Sequence, residues 1–153
     1  MTPRKLLTVA FFLVVLGVGY YSMNAAPVTS DHGYTYQGGL EWHEDPEEAF
    51  EAAETEGKPV LVYYWTTWCT YCDEYDDDHY RDDAVREELD EFVLLAINID
   101  DPGPGEPLAH EHEVNYPPQH VIVTPDGEPV EDIGGYVERE EFLSVLERVT
   151  GEE

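Results

Sequence analysis

Apolar residues in this chain fall into blocks whose period changes from one block to the next. Pro59-Val60-Leu61-Val62-Tyr63-Tyr64-Trp65 is an uninterrupted apolar stretch rich in β-branched and aromatic side chains, which predicts a strand buried on both faces. Phe92 to Ile99 predicts a second strand. Gln119 to Thr124 and Val130 to Ile133 predict two more, paired as a hairpin through the turn Pro125-Asp126-Gly127. Ahead of the first strand, Asp45-Pro46-Glu47-Glu48 reads as a helix start: Asp45 can cap, Pro46 suits the first helical position, and Glu48 can complete a capping box. That helix is expected to stop at Gly57. Further helices are expected from Cys69 through the acidic stretch that follows, over Asp83 to Leu89, and over Leu108 to His112. Phe142, Val145, Leu146 and Val149 recur at helical spacing and give a last helix its apolar stripe. Asp100 to Pro107 holds three prolines and two glycines and is expected to be loop. Strands alternating with helices and closing on a hairpin and a helix predict an α/β layer.

The N-terminus has a different pattern. Leu6 to Tyr21 is apolar apart from Thr8, Gly17 and Gly19, and it follows the short basic segment Met1 to Lys5. A cleaved signal peptide and a retained signal-anchor helix both fit. The run is long for a signal core and a little short of the ~20 residues of a spanning helix. Cleavage after Ala25 or Ala26 would place Met23 or Asn24 where a small residue is wanted, which favours an N-terminal apolar anchor helix. Arg4 and Lys5 put the N-terminus in the cytoplasm and the rest of the chain outside. The expected organisation is therefore a signal-anchor or signal peptide over 1–21, a polar linker over 22–39 and one domain over 40–151.

Charge narrows the partners. Asp and Glu number 35 against 7 Lys and Arg, for a formal charge of -28, and Lys58 is the only lysine past residue 5. Such a surface opposes nucleic acid and anionic lipid. It also repels itself, which a very salty medium relieves because the Debye length falls to roughly 3 Å at 1 M salt. The acidity is therefore read as halophilic. Neither Asp76-Asp77-Asp78 nor Asp100-Asp101 has the spacing of a calcium loop, so both runs are read as solvated surface.

Candidate chemistry is concentrated in Trp68-Cys69-Thr70-Tyr71-Cys72, which holds the only two cysteines of the chain. The pair directly follows an apolar strand and heads a predicted helix, where unpaired backbone N–H groups and the macrodipole favour a thiolate. Cys69 is the expected nucleophile, and Cys72, one turn further on, the residue that attacks the mixed disulfide formed on Cys69. A static bridge across two residues would stabilise little through chain entropy, and a structural metal site would need a second cysteine pair.

Trp42, Pro46-Glu47-Glu48-Ala49-Phe50, Gly57-Lys58-Pro59-Val60-Leu61-Val62 and Trp68-Cys69-Thr70-Tyr71-Cys72 together resemble the thioredoxin superfamily, and within it exported thioredoxin-like domains such as the C-terminal domain of the disulfide reductase DsbD. Phe92-Val93 leading to Asp100, then Val114, Pro125-Asp126-Gly127 and Gly135-Tyr136 extend the likeness over nearly all of 40–151. The resemblance implies a thioredoxin fold, a central mixed β-sheet flanked by helices. It also implies a cis-proline facing the cysteines, which aligns with Pro118, and it makes Pro117 a client-docking position that has no N–H to give. Trp68 is expected to shield one side of Cys69, with Trp65 in the core.

Two departures concern proton handling. The family's buried aspartate six residues before the nucleophile is Tyr63 here, a weak base at neutral pH, so Glu74 or Tyr63 is the candidate for proton transfer with Cys72. Asp73 stands where lysine is common and opposes thiolate formation slightly.

His110 and His112, two apart on a short helix, point away from each other. A copper-binding carrier in which His79 or His120 joins the two thiolates is the alternative function, and a non-catalytic binding module is another. The expected function is an extracytoplasmic thiol–disulfide oxidoreductase acting on exported proteins, with no cofactor or metal. The resemblance favours reduction fed by a membrane electron donor.

Overall fold

The computed structural model describes residues 36–151. The anticipated signal or anchor over 1–21 and all of the linker before Tyr36 lie outside the described residues. Among those described, no helix is long and apolar enough to cross a membrane.

The described chain opens with a 3-10 turn, Tyr36–Gly39, followed by helix α1 (Pro46–Glu56), strand β1 (Val60–Trp65), helices α2 (Thr70–Asp77) and α3 (Asp83–Leu89) and strand β2 (Val93–Asn98). Helix α4 (Glu106–Glu111), strands β3 (Gln119–Val123) and β4 (Pro129–Gly134), and helix α5 (Arg139–Thr150) complete it. The sheet runs β2-β1-β3-β4. β1 and β2 are parallel, whereas β3 is antiparallel to both β1 and β4, so the sheet is mixed. Ahead of α1, His43 bridges to Leu95 at the outer edge of β2.

Alternation along the strands sends side chains to two cores. Leu61 and Tyr63 of β1, Leu94 and Ala96 of β2, and Ile122 of β3 face one side, where they pack with Tyr75, Val85, Leu89, Phe142 and Leu146 from α2, α3 and α5. Val60, Val62 and Tyr64, Val93, Leu95 and Ile97, and Val121 and Val123 face the other side, against Ala49 and Ala53 of α1. β1 is covered on both faces, as its unbroken apolar run predicts.

Local chemistry accounts for the element ends. Asp45 caps α1 by accepting the Glu47 N–H, and Gly57 takes the left-handed conformation (φ 70°) that ends it. Gly127, with φ 87°, turns the β3–β4 hairpin, and its N–H reaches the Thr124 carbonyl at 2.9 Å.

The stretch Asp100 to Pro107 is not all loop. Gly103–Gly105 forms a 3-10 turn and α4 begins at Glu106. Pro107 is tolerated because first-turn positions have no helical partner for an N–H. Gly105 is required by packing, since a Cβ there would come within 2.9 Å of three side-chain carbons of Ile97.

Candidate functional site

β1, an interior strand, carries the chain to one end of the sheet and releases it at Trp65. The Trp65 carbonyl accepts the Ile99 N–H at 3.0 Å, so the cysteine loop leaves beside the loop that follows β2. From that neighbouring loop, Asp100 accepts the Trp68 indole N–H at 2.5 Å. Trp68 is therefore held in place while 65% exposed, and it does not pack into the core.

Cys69, the expected start of the helix, is the N-cap of α2, and the helix itself starts one residue later at Thr70. Its Sγ accepts the Cys72 N–H at 3.1 Å, and its carbonyl accepts the N–H groups of Cys72 and Asp73. A sulfur in this position receives the hydrogen bond that a capping side-chain oxygen ordinarily takes, and any negative charge on it faces the helix N-terminus. Cys69 and Cys72 form a disulfide. Cys69 is 5% exposed and Cys72 2%, but the residues beside them, Trp68 and Tyr71, are among the most exposed aromatic side chains of the described chain. Both cysteines are thus buried, next in sequence to exposed side chains.

The Pro117–Pro118 peptide bond is cis. Pro118 immediately precedes β3, whose Gln119 pairs in register with Tyr64 near the end of β1. The two prolines and the cysteine loop therefore emerge at the same end of the sheet. Pro118 is buried and Pro117 half-buried. The Pro118 carbonyl accepts the Gly135 N–H at 2.8 Å. Gly135 and Val137 are tied in turn to α2, because the Tyr75 hydroxyl donates to the Gly135 carbonyl at 3.4 Å and accepts the Val137 N–H at 3.3 Å. One hydrogen-bonded chain thus links the proline loop, the segment before α5 and the cysteine helix. Beside the prolines, Tyr116, Gln119 and Asp132 line an open polar groove, and Asp132 holds the Gln119 amide at 3.0 Å.

Residues 46–150 match the thioredoxin-like domain. The chain belongs to the thioredoxin-like domain family. The thiol:disulfide interchange protein DsbD of Ralstonia nicotianae is 30% identical over 108 residues, a match covering 69% of this chain and 18% of that protein. The chain thus spans less than a fifth of that relative's length. A thioredoxin from Thermus thermophilus superposes with a TM-score of 0.64 at 29% identity, covering 72% of this chain and 87% of that one. The reduced C-terminal domain of Neisseria meningitidis DsbD superposes with a TM-score of 0.56 at 24% identity over 67% and 91% of the two chains, a likeness of fold. A thioredoxin-like domain with a CxxC disulfide and these relatives supports a thiol–disulfide oxidoreductase.

The two proton-transfer candidates of this thioredoxin-like domain part company. Glu74 lies on the exposed side of α2, in the surface groove with Asp73, Asp77, Asp78 and Tyr136, whereas Cys72, Tyr75 and Asp76 form the buried side. Tyr63 is fully buried and belongs to the cluster that contains both cysteines. Its ring stacks on His120 with centroids 4.6 Å apart.

That histidine belongs to a network that residue types alone did not disclose. His120 is fully buried on β3, with Nε2 2.6 Å from the Tyr80 hydroxyl. His79, equally buried, donates from Nε2 to the Val137 carbonyl at 3.0 Å. Burial pushes the His120 imidazole down to about 3, with His79 adding to the effect, and burial lowers His79 as well. Desolvation also holds the Tyr75 and Tyr80 phenols above their ordinary range. The only advance signal was strand alternation, which puts His120 two residues past Pro118 on the face opposite to Val121.

Among the described residues, with Cys69 and Cys72 joined as a disulfide, no group of three His, Cys, Asp or Glu side chains is placed to hold a metal ion. His112 instead bonds Tyr64, Nδ1 to hydroxyl at 2.7 Å, and His110 is exposed.

Proposed function

We propose that this domain exchanges disulfides with exported proteins outside the cytoplasm, with Cys69 as the attacking sulfur and Cys72 as the resolving one. The carrying observation is the Cys69 Sγ accepting the Cys72 N–H at the start of α2, an environment that favours a thiolate on Cys69. In the reducing direction, the Cys69 thiolate attacks a client disulfide and one client thiolate departs. Cys72 then attacks Cys69 Sγ, the second client thiolate leaves, and the Cys69–Cys72 bond remains. Trp68 on one side and Pro117 and Pro118 on the other form the client contact. Pro117 cannot donate an N–H, so its carbonyl is the docking group it offers.

The assignment of 1–21 as anchor or signal, 22–39 as tether and 40–151 as catalytic domain belongs to the same proposal, as does a membrane electron donor that restores the dithiol. The supports are the basic-then-apolar N-terminal pattern and the likeness to DsbD. A surface of such acidity suits concentrated salt.

Insulin reduction tests the chemistry. Cys69→Ser is expected to abolish it, and Cys72→Ser to accumulate mixed disulfides on Cys69. A double-serine variant that still supports the function in cells would reject catalysis. The reduction potential decides direction: a value near -270 mV supports reduction, and one near -120 mV identifies an oxidant.

A further inference from the structure

His120 carries a buried nitrogen with no partner. Its Nε2 meets the Tyr80 hydroxyl, while Nδ1 is buried and makes no hydrogen bond. An unpaired buried polar atom is costly, and native proteins keep few of them. The location of this one is informative. His120 pairs in register with Tyr63, and the two rings stack. The Tyr75 ring is also centred 4.6 Å from that of His120, tilted against it. Tyr75 follows Cys72 by three residues on the buried side of α2, and both cysteines share a cluster with Tyr63, Tyr75 and Tyr80.

We propose that His120 is the proton acceptor for Cys72 during resolution of the mixed disulfide, an inference that rests on the exchange chemistry above. When Nε2–H donates to the Tyr80 oxygen, Nδ1 holds a free lone pair. The Cys72 thiol gives its proton to that nitrogen as its sulfur attacks Cys69 Sγ. The bond between Cys69 and the client breaks, the Cys69–Cys72 bond forms, and the client thiolate departs with the electron pair. The imidazolium then returns its proton to that thiolate or to water. His120 is neutral while the disulfide is intact, because burial and the neighbouring His79 disfavour its charged form. A thiolate formed in the same water-poor cluster provides the opposite charge that makes an imidazolium tolerable.

The groups facing His120 are Tyr63 from β1, Tyr75 from α2, and Tyr80 and His79 from the segment after α2, with Phe142 of α5 closing the cluster without a charge. His79 Nδ1 is also buried without a hydrogen bond, 3.8 Å from the Asp78 carboxylate, and a loss of resolution in His79→Gln with His120→Gln unaffected would move the assignment to it. The competing acceptor is Asp76, 2% exposed and one turn past Cys72.

The test uses reduced protein and 5,5'-dithiobis(2-nitrobenzoate), and needs neither a client nor an electron donor, so it stands even if the protein does not act on exported proteins. The first thionitrobenzoate release reports attack by Cys69 and the second reports resolution by Cys72. His120→Gln, which keeps a polar partner for Tyr80, and His120→Leu are each expected to leave the first release unchanged. Both should slow the second by about 100-fold at pH 7. The gap should close at strongly alkaline pH, where the thiol ionises unaided. Wild-type resolution in His120→Gln at pH 7 would overturn the proposal, as would a slowing of equal size at every pH. The same converging profile in Asp76→Asn or Tyr63→Phe, with His120→Gln unaffected, would move the assignment to that residue.

Discussion

The two faces of the sheet are built from different materials. Behind β1, on the α1 side, the core is mostly aliphatic: Val60, Val62, Val93, Leu95, Ile97, Val121 and Val123 against Ala49 and Ala53, with the buried Tyr64 as the exception, its hydroxyl bonded to His112. On the cysteine side the same strands contribute Tyr63 and His120, which meet Tyr75, His79, Tyr80 and Phe142 in a network of ring contacts and hydrogen bonds. An aliphatic face needs only volume and shape. The aromatic face must satisfy hydroxyls and imidazoles away from water, which is costly unless those groups are paired or put to use. One face therefore supports the domain, and the other sets the surroundings of the disulfide.

Matched truncations sharpen this contrast. Phe142→Ala should destabilise the domain by about 3–5 kcal/mol and Leu95→Ala by about 2–5 kcal/mol in denaturant unfolding. Only Phe142→Ala should also move the Cys69–Cys72 reduction potential, by more than about 10 mV. An equal shift in Leu95→Ala would break the division between the faces.

Gly105→Ala probes the aliphatic side without removing anything. The added methyl meets Ile97 and should cost about 1–3 kcal/mol, with the potential unchanged.

Acid probes the other side. His120 and His79 bind a proton more weakly folded than unfolded, so the unfolded chain binds more protons below the ordinary histidine value. Stability from these groups is fully present above pH ~6.5 and falls as pH drops toward the folded value, about 3 for His120, by up to about 1.4 kcal/mol per pH unit per histidine. His120→Gln should flatten the unfolding curve between pH 6 and 4, and an unchanged slope would remove His120 from the account.

The smallest effect is expected at the rim. Asp100→Asn weakens the hold on the Trp68 indole by about 0.5 kcal/mol, which should raise the KM for a protein disulfide roughly twofold and leave the melting temperature in place. A large loss of stability there would mean that Trp68 acts as core.

β1 was legible because a strand covered on both sides has to be apolar at every position, and α1 because Asp45, Pro46 and Gly57 each meet a local backbone requirement. The start of α4 was not legible, since proline and glycine suggest loop unless Ile97 is known to lie against Gly105. The place of Glu74 followed only once the helix had a fixed rotation, with Cys72, Tyr75 and Asp76 turned inward.

Taken alone, the order of residues determined the strand and helix content, the acidic surface and the pairing of two cysteines at a helix start, because each depends on neighbours within a few positions. Tertiary structure decided what surrounds those cysteines. Tyr63, Tyr75, Tyr80 and His120 come from β1, α2, the turn after it and β3, and stacking, hydrogen bonding and loss of water act only between side chains that the fold has already brought together.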